Sequence, residues 1–123
     1  MRFILLAAAV MLPAAALAQA TPPASSQVAV HVAVTTPAGA PRALVTAGMV
    51  KSAPTYSKVP GLIRKYFTID PVDFGGIYLF KDRTSAQAWF SEAWRAKATA
   101  TYGSQPVVTY FDVPLVIDNS GGK

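Results

Sequence analysis

The chain contains no cysteine. Neither a disulfide nor a thiolate-ligated metal is available, so the fold rests on its core or on a partner chain. Histidine occurs once, as His31, which excludes an imidazole-rich metal centre and leaves a single ring for acid–base work. Charge is sparse as well: 14 per cent of residues are charged, 11 basic against 6 acidic, for a net charge of +5. The basic residues are scattered and never form a run, so the surface reads as solvated and not as a nucleic-acid interface. A P-loop, a dinucleotide fingerprint, a nucleophile elbow and metal-spaced His and carboxylate clusters are all missing.

What the chain has in abundance is apolar residues, at 52 per cent, and part of that excess lies at the front. Met1-Arg2 gives a short positive start, Phe3 to Leu12 an uncharged apolar run, and Ala16-Leu17-Ala18 or Ala18-Gln19-Ala20 a small-x-small cleavage site. A membrane-spanning helix needs roughly 20 apolar residues, and this run meets Pro13 first. Residues 1–20 therefore read as a secretory signal peptide, which implies a periplasmic or secreted protein with no membrane attachment after cleavage. Cleavage removes Arg2 and no acidic residue, lowering the net charge by one. Residues 21–26, rich in Pro, Ser and Ala, read as a flexible leader. The domain spans 27–119, and 120–123 read as a disordered tail.

The domain is built around Phe74-Gly75-Gly76-Ile77-Tyr78-Leu79-Phe80. Alternation places Phe74, Gly76, Tyr78 and Phe80 on one face and Gly75, Ile77 and Leu79 on the other. Both faces are apolar, which predicts a central strand covered on both sides. The paired glycines mark either a bulge or close backbone approach, or room for a ligand beside Tyr78.

Around that strand the remaining elements follow in order. Val28 to Val34 alternates valine with Ala29, His31 and Ala33 and predicts a first strand. Pro41 suits the first position of a helix that carries Leu44, Val45, Met49 and Val50 toward a core and ends at Pro54. Leu62 to Ile69 predicts a second strand, joined through a turn at Asp70 to Asp73 to the central one in an antiparallel hairpin. From Arg83 the period changes: Ala86, Trp89, Phe90, Ala93, Ala96 and Ala100 predict one helix to about Thr101, capped by Asp82 or Thr84. Val107 to Val113, closed by Pro114, predicts the last strand. The order strand, helix, strand, strand, helix, strand is an α+β, ferredoxin-like split βαβ arrangement with both helices on one face of a four-stranded antiparallel sheet. The apolar residues of the opposite face predict a homodimer in which two sheets pack together.

Pro60-Gly61-Leu62, Gly75 to Phe80, the helix start from Asp82 to Ala88, and Phe111-Asp112-Val113-Pro114-Leu115 together resemble the YdhR-like monooxygenases of the dimeric α/β-barrel superfamily. The resemblance covers about Val28 to Asn119 and departs at the front, where the export signal stands. It implies a cofactor-independent monooxygenase acting on a small aromatic or quinol-like substrate. It also implies that His31 matches a first-strand histidine of the family and that Lys65 stands where the family has a lysine. Haem-binding or haem-degrading proteins share the superfamily, and a non-catalytic module for a small apolar ligand is a further alternative.

The candidate site residues follow from the residues themselves. His31, between the small Ala29 and Ala33, is either a hydrogen-bonded core histidine or a general base for an acidic, phenol-like substrate. Tyr78 beside the glycines is the second catalytic candidate. Tyr66 and Tyr110 on strands, Trp89 on the second helix, and the space at Gly76 are candidates for holding the substrate, with core packing as the alternative for the tryptophans. Arg64 and Lys65 point to opposite faces of one strand, so at most one faces a pocket, and Arg64 is the one assigned to substrate. Expected cofactors and metals are none; the expected partners are a second copy and a small apolar or aromatic ligand, without nucleic acid.

Overall fold

The computed structural model describes residues 25–121. The signal peptide expected over 1–20 and most of the expected leader lie outside the described residues. Within them, no helix is long and apolar enough to cross a membrane.

The elements are β1 (Val28–Thr35), α1 (Arg42–Tyr56), β2 (Leu62–Ile69), β3 (Asp73–Phe80), α2 (Arg83–Trp89), α3 (Glu92–Tyr102) and β4 (Val107–Asp112). The strands form one antiparallel sheet in the order β2-β3-β1-β4. This is the ferredoxin-like α+β arrangement, and the glycine-entered strand β3 is central as its two apolar faces require. Asp70 makes the hairpin turn before it: its Oδ1 accepts from the backbone N–H groups of Val72 and Asp73, each at 2.7 Å.

Period-2 alternation settles which face is covered. Val28, Val30, Val32 and Val34 are buried with Tyr78 and Phe80 against Ala86 and Phe90 of the helical layer and Val59 of the loop before β2. Removing side chains of this size from water stabilises the fold by roughly 1.5–3 kcal/mol each. His31 and its small neighbours fall on the other face, where Ile77, Tyr66, Val107 and Phe111 are also exposed. Gly75 is fixed by the close approach of two backbones, because a Cβ there would run into the carbonyl oxygen of Val32 on β1.

Two expectations about the helices are corrected. The single helix predicted from Arg83 to Thr101 is two: α2 stops at Phe90, and Ser91 caps α3, its Oγ accepting from the Trp94 N–H at 3.2 Å. The break turns Phe90 into the core, where its ring meets Tyr78, Phe80, Trp94 and Tyr110 edge-on. Helix α1 continues past Pro54 to Tyr56 and buries none of its residues. Pro54 has no N–H to donate to the Val50 carbonyl, and the helix ends within one turn of it. Leu44 is 64 per cent exposed and Val50 is 72 per cent exposed, so this helix does not close onto the sheet as expected.

Candidate functional site

The reason lies beneath α1. Opposite it the sheet presents valines and glycines, α1 itself turns Gly48 and Ser52 inward among larger residues, and the loop before it adds only Ala40. No side chain is long enough to fill the gap, and a cavity of about 550 Å³ remains between α1, α3 and the sheet. Such a volume is in the range of small-molecule sites. Leu44, Val45 and Met49 form its roof, Val32, Val34 and Phe74 part of its floor, and Trp94 and Tyr102 a wall. The apolar face of α1 therefore addresses an open space.

One end of the cavity is aromatic. Tyr56, from the last turn of α1, lies edge-on to Phe67 at 5.6 Å, to Tyr78 at 5.9 Å and to Trp89 at 5.8 Å between ring centroids. Into this cluster reaches Lys65. Its Nζ stands 3.2 Å from the centroid of Tyr56, 3.9 Å from that of Phe67 and 4.6 Å from that of Tyr78. The rings attract an ammonium through their negative faces, but no carboxylate lies within ion-pairing distance; among the described residues the ion pair found is Arg83 with Asp112, on the surface. Burial without a counter-charge drives the Lys65 amine down from 10.5 to about 7. It is thus poised between amine and ammonium at neutral pH.

Burial has the opposite effect on the neighbouring phenols. Tyr78, 3 per cent exposed, is raised far above the ordinary tyrosine range, and Tyr56 is raised as well. Both stay protonated at neutral pH and are not bases there. The indole Nε1 of Trp89 is buried with no acceptor, in a residue that borders the cavity. Lys65 and Lys97 are the charged residues of the lining, which contains no acid. The site is an apolar, aromatic chamber with positive charge, neutral donors and one titrating amine.

The residues singled out in the sequence divide between two faces. Tyr78 and Trp89 border the cavity. Gly76 faces the same side, but the space left by its missing side chain is taken by Lys65, whose Cε lies 2.8 Å from where a Cβ would stand. Tyr110 packs 6.4 Å from Phe90 with the Arg83 guanidinium 5.4 Å from its ring, at the closed end of the core. Strand parity carries His31, Tyr66 and Arg64 to the opposite face. There the Arg64 Nη1 donates to the Tyr66 hydroxyl at 3.1 Å, and His31 lies exposed between Ile77 and Thr109. Within one chain, then, His31 and Tyr78 do not share a site, and the cation in the cavity is Lys65 in place of Arg64. Among the described residues no group of three His, Asp or Glu side chains is placed to hold a metal ion.

One residue that lines the cavity escaped the sequence reading, and another was named there without being assigned to the site. Tyr56 lies beyond Pro54, where the helix was expected to have ended. Lys65 carried a usable signal: it shares its strand parity with Phe67 and Ile69, the apolar face of β2, whereas Arg64 shares its parity with Tyr66 and Thr68.

Solved structures share this architecture. A protein of unknown function from Nitrosomonas europaea, NE2512, superposes with a TM-score of 0.61 at 19% identity, over 77% of this chain and 96% of that one. SnoaB, a cofactor-independent oxygenase from Streptomyces nogalater, superposes with a TM-score of 0.54 at 18% identity, over 76% of this chain and 98% of its own. At these identities the likeness is one of fold. No curated protein matches the chain. The family described as "Putative mono-oxygenase ydhR" matches residues 28–115, the whole β-α-β-β-α-α-β unit with its cavity, and the chain belongs to that family.

Proposed function

We propose that this protein is a monooxygenase that oxidises a small aromatic, quinol-like substrate in the cavity under α1, without a bound flavin or metal. The observation that carries this reading is the chamber itself, lined by Tyr56, Phe67, Tyr78 and Trp89 around a lysine amine. Membership of a mono-oxygenase family supports it, and so does the fold shared with an oxygenase that is cofactor-independent. The chemistry needs no outside reductant. A phenol and dioxygen give a quinone and water: the ring supplies four electrons, one oxygen atom enters the product, and the other leaves as water with two protons. Ionisation of the hydroxyl makes the ring electron-rich enough to begin, and apolar walls shield the intermediates from water.

The same reading places the protein outside the cytoplasm after signal cleavage and pairs it with a second copy through the outer face of the sheet. Exposed Ile77, Tyr66, Val107 and Phe111 on that face support the pairing. In such a dimer His31 stands between the two sheets. Light scattering of the mature chain at micromolar concentration is expected to give a dimer mass; a monomer mass removes the pairing.

Activity is tested by oxygen uptake on adding naphthols, using isotope-labelled dioxygen. Saturable uptake with one labelled atom in the quinone is the expected outcome. Saturable binding of the naphthol with no uptake would make the protein a ligand-binding module, and a sharp Soret band on titration with haem would favour the haem reading instead.

A further inference from the structure

We infer that Lys65 is the proton acceptor of the cavity, and that the ligands the cavity selects are flat arenes bearing an ionisable hydroxyl, bound as the oxyanion against Lys65 Nζ. This deepens the oxygenase reading and takes from it only the site.

The geometry carries the assignment. Lysine stems usually run outward to put the ammonium in water, yet Lys65 turns inward and spends the room left by Gly76 to reach the aromatic end of the chamber. Every group that faces it there is neutral or positive. Tyr56 comes from α1, Tyr78 from β3 and Phe67 from its own strand, while Lys97 and Tyr102 of α3 border the same space. An ammonium in this setting lacks a counter-ion, and an anionic ligand oxygen supplies one.

The aromatic walls set the rest of the ligand. The rings of Tyr56, Phe67, Trp89 and Trp94 in the lining suit a flat ring system better than a flexible polar chain. In the step itself the O–H bond of the ligand breaks, its electron pair stays on oxygen, and the proton forms a new N–H bond on the Lys65 lone pair. The product is a phenolate–ammonium pair in an apolar chamber, with no net change of charge. The position of Lys65 near its midpoint at neutral pH suits that transfer, since an acceptor works best when its affinity for the proton is near that of the medium.

The probe is para-nitrophenol, whose phenolate is yellow and whose phenol is not. It is titrated into the full mature protein, and bound dye is read by visible absorbance as a function of pH. The expected result is a bound dye that ionises at least about one pH unit below the free dye, as an adjacent opposite charge dictates. In Lys65→Met the dye is expected to bind as the colourless phenol and to ionise above the free value, because the apolar chamber then disfavours the anion. Lys97→Met, at the rim, is expected to leave the bound dye yellow. A dye that stays colourless in the unaltered protein, that binds yellow in Lys65→Met, or that fails to bind overturns the inference. Circular dichroism establishes that each variant is folded before it is titrated. Oxygen uptake plays no part in this titration. Yellow bound dye without turnover removes the oxygenase reading and keeps the role of Lys65, whereas full turnover by Lys65→Met does the reverse.

Discussion

The two ends of the helical layer are built from similar residues and packed in opposite ways. At the α2 end, Phe80 and Ala86 are fully buried, Phe90 is 6 per cent exposed, and the rings of Phe90 and Trp94 meet at 4.8 Å. At the α1 end no residue of the helix itself is buried, and aromatic and aliphatic side chains stand around about 550 Å³ of open space. Hydrophobic residues alone do not make a core; they must also be large enough to meet. The closed end holds the fold together, and the open end has traded stability for volume.

The sharpest way to break that contrast is to truncate one side chain at each end. Phe80→Ala removes a fully buried ring from the closed end and is expected to cost about 3–5 kcal/mol, measured by urea unfolding. Leu44→Ala at the open end is expected to cost under about 1 kcal/mol, because the leucine is already mostly exposed. Equal costs would mean that α1 closes onto the sheet in solution.

Lys65 gives the next largest effect, with the opposite sign. Its amine titrates at about 7 in the fold and at 10.5 in the unfolded chain, so the unfolded state binds more protons between those values. Stability therefore rises with pH from about 7 toward 10.5 and is lowest, and level, below about 7, where both states are protonated. Each pKa unit is worth about 1.4 kcal/mol, and residual solvent around the side chain screens part of it. Lys65→Met is expected to stabilise the protein by about 2 kcal/mol at neutral pH and to remove the rise. Thermal unfolding from pH 6 to pH 10 reads both; a destabilised variant would show that the ammonium is paired.

The smallest effect is expected on the outer face. His31→Ala touches no core residue and is expected to change stability by less than about 0.5 kcal/mol in the isolated chain. A larger loss that grows with protein concentration would place His31 in contact with a second copy.

How much of this was legible in the sequence depends on which period carried it. The sheet was readable because valine alternation in β1 and the two apolar faces of β3 follow directly from strand geometry. The break at Phe90-Ser91 was not, since Trp89, Phe90 and Ala93 continue a helical spacing across it and only Ser91, a good cap, hints at the restart. The cavity is a matter of what fails to touch, and residue spacing cannot measure the distance between α1 and the sheet. Tyr78 and Trp89, which border the cavity, could be placed on their elements because each lies in a well-formed one. Arg64 was preferred over Lys65 although Phe67 and Ile69 mark the parity of the buried face, and Tyr56 was lost because Pro54 was read as a stop.

The central claim is that the space under α1 is where a ligand binds, and Gly48 offers the most direct test. It borders the cavity, and a Cβ placed there meets nothing within 4 Å, so Gly48→Leu starts its side chain into open space, narrows the chamber and raises helix propensity by about 1 kcal/mol. Both tryptophans of the chain, Trp89 and Trp94, border the same space and report on it by fluorescence. The account predicts that para-nitrophenol quenches their emission saturably in the unaltered protein, and that Gly48→Leu is at least as stable yet loses the saturable quenching. Equal saturable quenching in a folded Gly48→Leu protein would contradict it and move the ligand site elsewhere on the molecule.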